Sequence, residues 1–329
     1  MKKRIILSFD YELFFGDKSG TVQKTLIDPT NKLLDVMDSV GFKGNFFIDW
    51  LMLKYLKAED DVRCRHDYEL IVNQIKDIVA RGHRIELHIH SHWVDAKYNG
   101  DGTWDYGNFT HYSLQSFTKD EITQMFVEGT NSLSLIAREV DPNYEIVAFR
   151  AGGWAIQPFS KLSEGFKSAG IKIDSSVMPG VEIVTDYSYC NFLNLEPPTS
   201  GAYSFSDDVN VEDNNGAFVE VPISSIKPNI PSRIVAKIAR IMGVSFDSLA
   251  DGTHERKSST PDKWNVPSKR SVCTFSSVAP LDNLLRLLFA PGSVFCFIDH
   301  PKDFSRQTVP GIKMLSYFCE SILYKDFLK

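Results

Sequence analysis

Two short runs hold residue types suited to metal-assisted hydrolysis. Asp10-Tyr11-Glu12 closes the apolar stretch Ile5-Ile6-Leu7-Ser8-Phe9, and His88-Ile89-His90-Ser91-His92 closes Arg84-Ile85-Glu86-Leu87. A catalytic zinc-type site takes three protein ligands, mixed imidazole and carboxylate, and keeps one position open for water. His88 and His92 are four apart, a spacing that puts both rings on one side of a helix or of a tight turn after a strand. His90, between them, reads as a supporting or surface histidine. Carboxylates as close as Asp10 and Glu12 take unlike roles: one gives its lone pairs to a cation, the other keeps a basic oxygen for proton transfer. The flanking Phe9, Leu13, Phe14 and Phe15 put both in an apolar wall.

Further chemistry-bearing residues follow other apolar runs. Phe149-Arg150-Ala151-Gly152-Gly153-Trp154 sets an arginine between a strand and a glycine-rich turn, where backbone can approach a ligand closely. Asp174 follows residues 171–173, and His300 follows residues 294–298 within Asp299-His300-Pro301. Asp10, His88, Arg150, Asp174 and His300 thus all fall just after a predicted strand, where α/β barrels carry their functional groups.

The elements that must position these groups alternate. Apolar runs at 5–9, 44–48, 85–90, 146–149, 171–173, 218–221 and 293–298 read as buried strands. Amphipathic stretches at 31–40, 68–80, 119–140, 158–169 and 309–323 read as helices, with Thr118 an N-cap and Gly41 a C-cap. Such repetition implies parallel βαβ units and one barrel-like α/β domain over 1–329. Polar stretches at 94–117, 186–216 and 253–270 read as loop insertions.

Composition narrows the function classes. The 329 residues are 43% apolar and 24% charged, as in an ordinary globular protein. A net charge of −6 with scattered Lys and Arg speaks against a nucleic-acid groove. No run of about 20 apolar residues exists to span a membrane. The apolar run behind Lys2-Lys3-Arg4 breaks at Asp10, too soon for a signal-peptide core, so a cytoplasmic location is expected. The five cysteines form no CxxC pair and read as reduced core thiols.

Taken in order, Ser8-Phe9-Asp10-x-Glu12, His88-x-x-Ser91-His92, Phe149-Arg150-Ala151-Gly152-Gly153-Trp154, Asp174-Ser175-Ser176 and Asp299-His300-Pro301 resemble the five motifs of the polysaccharide deacetylase family, the NodB-like carbohydrate esterases. The resemblance runs from residue 5 to about residue 304, and Gly41-Phe42-Lys43-Gly44-Asn45-Phe46-Phe47 is similar to the family's second strand. It implies a distorted (β/α)7 barrel and a divalent metal, Zn2+ by donor type, held by Glu12, His88 and His92. It implies Asp10 as general base paired with Arg150, and His300 as general acid tuned by Asp174. It also implies an N-acetylated sugar as substrate, possibly carrier-linked, in the intracellular surface-polysaccharide branch. Trp93 among the loop aromatics, and Gly152, Gly153 and Trp154 in the third motif, are the candidate substrate contacts. Two departures stand out: Tyr11 replaces the usual second aspartate, and Ala151 the usual proline after arginine. Alternatives are hydrolysis of small ureides or imides and an inactive carbohydrate-binding barrel. Neither sugar nor oligomeric state is encoded legibly.

Overall fold

A computed structural model describes residues 2–256, 263–267 and 269–328. Seven parallel strands carry the fold: β1 (Lys3–Tyr11), β2 (Gly44–Asp49), β3 (Arg84–Ile89), β4 (Ala148–Ala151), β5 (Ile173–Asp174), β6 (Phe218–Glu220) and β7 (Val294–Asp299). Their spatial order is β6-β5-β4-β3-β2-β1-β7, every pair parallel. The gap between β6 and β7 is bridged through Ser224: its N–H donates to the Cys296 carbonyl at 3.0 Å, and its Oγ accepts from the Cys296 N–H at 2.9 Å. The sheet is therefore a curled, distorted (β/α) barrel, the fold class expected. A short strand, Tyr203–Phe205, runs antiparallel to β6.

Burial on both faces explains why these strands read as continuous apolar runs rather than alternations. Ile5 through Tyr11 are all buried, as are all six residues of β2 and of β3. Alternation still sorts the side chains. Ile6, Phe47, Ala148, Ile173, Val221 and Cys296 form one small cluster along the barrel axis. Ile5, Leu7, Phe9, Phe46 and Leu87 belong to the large cluster under the helices. Ser8, Asp10, Arg150, Ser175 and His300 share the parity of the axial set; Asp174, Glu220 and Asp299 share that of the outer one.

The helices are α1 (Asp28–Ser39), α2 (Trp50–Ala58), α3 (Val62–Ala80), α4 (Lys119–Arg138), α5 (Ser163–Ala169), α6 (Ile230–Ile241), α7 (Pro280–Phe289) and α8 (Thr308–Ser316). Thr118 caps α4 as expected, in a reciprocal box with Glu121. Sequence reading misses α2, α6 and α7. It also runs the last helix too far, to 323: the chain leaves α8 at Ser316 and forms a strand, Cys319–Ser321, paired with Lys3–Ile5 of β1. The cause is β1's length. β2 pairs only with Leu7–Tyr11, so the first half of that edge lacks a partner until the C-terminal strand arrives. The predicted loops carry small elements too: 94–117 holds a Lys97–Tyr98/Trp104–Asp105 pair, and 186–216 contains Tyr189–Asn191. In 253–270, Lys263–Asn265 pairs with Glu182–Val184, while 257–262 and 268 lie outside the described residues.

Candidate active site

The inward-facing ends of β1, β3, β4 and β7 meet at one mouth. Arg150, fully buried, organises it. Its Nη1 donates to Asp10 Oδ1 at 2.5 Å, its Nε to the Ser175 carbonyl at 2.8 Å, and its Nη2 to Ser8 Oγ and Tyr324 Oη, both at 2.9 Å. The guanidinium also lies 4.2 Å over the Phe47 ring. Burial alone would lower the Arg150 pKa; the Asp10 carboxylate more than reverses this and raises it. Asp10 is thereby pinned through Oδ1 and presents Oδ2 toward the mouth.

Glu12 is 3% exposed, and both of its oxygens are engaged. Oε2 lies 3.0 Å from His88 Nε2 and 2.6 Å from His90 Nε2, while Oε1 accepts from Lys302 Nζ at 2.8 Å. Burial pushes the Glu12 carboxyl up, but the His90 imidazole and Lys302 ammonium bring it well below the usual range, so it is a carboxylate. His88 Nδ1 is 2.7 Å from the Arg150 carbonyl, which can only accept. Burial lowers the His88 pKa, but the Asp10 and Glu12 carboxylates more than reverse this and raise it, so without an ion its Nε2–H donates to Glu12 Oε2. With Nδ1–H committed to the carbonyl, loss of that Nε2 proton would free a lone pair aimed at the carboxylate, the arrangement of metal sites whose histidines are oriented by a carbonyl. Glu12, His88 and His90 offer ligand atoms within 4.8 Å of one another, so the donor set fits a zinc-type ion.

His90, not His92, stands beside Glu12. Residue 90 remains extended (φ −100°, ψ 97°), so strand alternation continues past Ile89 and puts residues 88 and 90 on one side. Residue 92 falls in the 3-10 turn Ser91–Asp95. Its ring is fully buried among Phe15, Trp93, Tyr106 and Phe109, and neither nitrogen has a hydrogen-bond partner among the described residues. Burial holds its pKa well below the ordinary value, as a neutral imidazole. The i,i+4 spacing is thus a turn coincidence, and the strand period of two decides. Asp49 supports this turn, accepting from the His90 N–H at 3.2 Å and from Trp93 Nε1 at 2.7 Å. Burial raises Asp49 to about 7.

His300 Nε2 points between the two acids, 3.7 Å from Asp10 Oδ2 and 3.6 Å from Glu12 Oε1. Its Nδ1 pairs with Asp303 Oδ2 at 3.0 Å, not with Asp174. Burial lowers the His300 pKa, but the Asp303 hydrogen bond and charge outweigh it, raising the imidazole to about 9. Asp174 is excluded by parity: Ile173 faces the axis, so Asp174 faces outward, accepting from Ser176 Oγ at 2.7 Å and sharing a hydrogen bond with Glu220. Asp299 also faces outward, and the Thr274 and Ser276 hydroxyls and the Phe275 and Ser276 N–H groups engage it. Lys302, Asp303 and Asp49 escape sequence reading. The first two reach the site only because Pro301–Asp303 coils into a 3-10 turn that folds them back on His300.

The candidate substrate contacts divide. Trp93 is fully buried and cannot present a ring face to a sugar. Gly152 makes room for a protein side chain: a Cβ there would lie 2.7 Å from His90 Nδ1 and from the Ile89 carbonyl. Gly153 (φ 60°) and Trp154 (φ 55°) form a left-handed turn, and a Cβ on Gly153 would meet the Tyr112 ring at 2.9 Å. Nearby, Phe15, Trp104, Tyr106, Asp105 and Arg256 help line a cleft of about 300 Å³. The Phe15 ring contacts both His90 and His92.

No family model matches the sequence, and no curated protein does. Among solved structures the chain is similar to a 4-alpha-glucanotransferase from Thermococcus litoralis, at 13% identity over 100% of this chain and 40% of that one, with a TM-score of 0.50. That likeness is one of fold. A peptidoglycan N-acetylglucosamine deacetylase aligns at 13% identity over 99% of this chain and 87% of the other, TM-score 0.43. The catalytic domain of another, from Eubacterium rectale, aligns at 12% identity over 98% and 90%, TM-score 0.36. No helix among the described residues is long and apolar enough to cross a membrane.

Proposed function

We propose that this chain is a metal-dependent amide hydrolase that removes an N-acetyl group from a sugar in surface-polysaccharide synthesis. The observation that carries the reading is the meeting of Glu12 Oε2 with His88 Nε2 and His90 Nε2, with the His88 Nδ1 proton committed to a carbonyl. Glu12, His88 and His90 would hold the ion. When bound, it would supply Lewis-acid polarisation of the amide carbonyl and of the attacking water.

The chain's own groups supply the proton transfers. Asp10 Oδ2 faces the mouth while Arg150 holds Oδ1, so Asp10 takes the proton of the attacking water. His300 Nε2, on the far side of the same small space, gives a proton to the departing amine; Asp303 holds its Nδ1–H and keeps it charged. An amine leaves poorly unless protonated, so a charged imidazole suits an amide. The cleft beside Phe15, with aromatic and charged walls, suits a pyranose ring. Acetate release from N-acetylhexosamine conjugates tests the reading: it should stop with a chelator and return with added zinc. Release that resists the chelator, or turnover confined to ureides, overturns it.

A further inference from the structure

α6 is an amphipathic helix mounted the wrong way round for a core element. At about 100° per residue, Ile230, Ile234, Ile238 and Ile241 fall within an arc of roughly 80°. Yet all four are between 49% and 74% exposed, while the buried positions on the other side are the small Ser232 and Ala239. Met242, just past the helix, and Phe289, the last residue of α7, are exposed as well, and Asn229 fastens the two helices through the Leu285 carbonyl at 2.9 Å. Aliphatic surface of this extent on a folded chain marks an interaction site.

Charge selects the partner. Arg233, Lys237 and Arg240 lie along one flank of the isoleucine stripe, and none is in a salt bridge among the described residues. From residue 223 to 246 the sequence has no aspartate or glutamate, although the whole chain carries −6. An apolar stripe edged by unanswered cations is the pattern of a helix lying in a membrane interface, with its isoleucines among acyl chains and its basic groups at anionic headgroups. A second copy of this helix would bring more cations and no carboxylate to meet them.

We infer that α6 docks this protein on an anionic phospholipid surface. The segment after the helix packs on the loop that bears Lys302: Ser248 Oγ donates to the Lys302 carbonyl, and the Leu249 N–H to the Phe304 carbonyl at 3.0 Å. These two hydrogen bonds link the docking helix, through the segment that follows it, to the loop that carries Lys302 and Asp303.

The test is sedimentation of the full chain with vesicles, read as binding and independent of any activity. Binding to vesicles of phosphatidylcholine mixed with phosphatidylglycerol should exceed binding to phosphatidylcholine alone and weaken as salt rises. Lys237→Gln/Arg240→Gln should lower it roughly 30-fold. Ile234→Asp/Ile238→Asp should abolish it, while Leu135→Asp, at a still more exposed apolar site on α4, should leave it unchanged. Circular dichroism confirms folding, and the Gln pair stands as the decisive variant should the Asp pair fail to fold. Absent binding, equal binding to neutral vesicles, or a dimer in light scattering that Ile234→Asp/Ile238→Asp dissolves would overturn the inference.

Discussion

Replacing Asp303 by Asn should disarm the proposed acid without touching the metal ligands. Asp303 Oδ2 holds His300 Nδ1 at 3.0 Å and is the main reason the imidazole rises to about 9 against burial. Without that charge, burial is left to act and His300 falls to its ordinary value of about 6.5 or below. At about pH 7.5 the wild-type imidazole is roughly 97% protonated; one of pKa about 6.5 is roughly 9% protonated. Asp303→Asn should therefore lose at least about tenfold in kcat/KM at that pH and much less near pH 6, its high-pH limb moving down by about 2.5 units. A divalent ion at Glu12 depresses His300 in both proteins alike, so the difference survives. Stability follows the same sign. A histidine raised above its unfolded value stabilises below about pH 6.5 and loses that contribution as pH climbs through about 9. The variant should thus show a flatter unfolding free energy across that window. The assay is a pH–rate profile beside matched urea titrations. An unmoved high-pH limb in Asp303→Asn, or a limb that moves in Asp174→Asn instead, would refute the assignment.

Metal analysis should separate the three histidines: His88→Ala and His90→Ala lose bound zinc, whereas His92→Phe, set in an aromatic cage, keeps it. Lys302→Met should leave Glu12 as a buried carboxylate short of its cation and cost the metal-free protein about 3–5 kcal/mol in urea unfolding. Added zinc should then raise its melting temperature more than that of the wild type. Gly152→Ala should push the His90 ring aside and weaken zinc binding roughly 10–100-fold in competition titrations, with far-ultraviolet circular dichroism unchanged.

Much of this arrangement is legible in the chain. In a parallel barrel every strand ends at the same mouth, so a titratable residue just past an apolar run is a candidate wherever it sits. That logic finds Asp10, Glu12, His88, Arg150 and His300, which the structure gathers. It fails where parity, not position, decides. Asp174 ends a strand but faces outward, and His90 replaces His92 because the backbone stays extended one residue longer than the motif spacing suggests. It fails again at Lys302 and Asp303, whose approach depends on a turn no periodicity announces. α6 is overlooked because its apolar stripe is exposed and answers to no strand.

The Tyr324 hydroxyl bonds Arg150 Nη2 at 2.9 Å and Ser175 Oγ at 2.8 Å, and sits 3.1 Å from Cys296 Sγ. It arrives through the Cys319–Ser321 strand, which zips onto the opening residues of β1. A nascent chain exposed only as far as residue 318 would already own every acid and imidazole of the site. Its central guanidinium would nonetheless lack one acceptor, and β1 an edge. Closure of the barrel across some 300 positions of sequence is a high-contact-order event, slow and late. Catalytic competence would then wait on residues 319–324, and a chain cut before them would be betrayed by a loosened arginine rather than by a missing catalytic group.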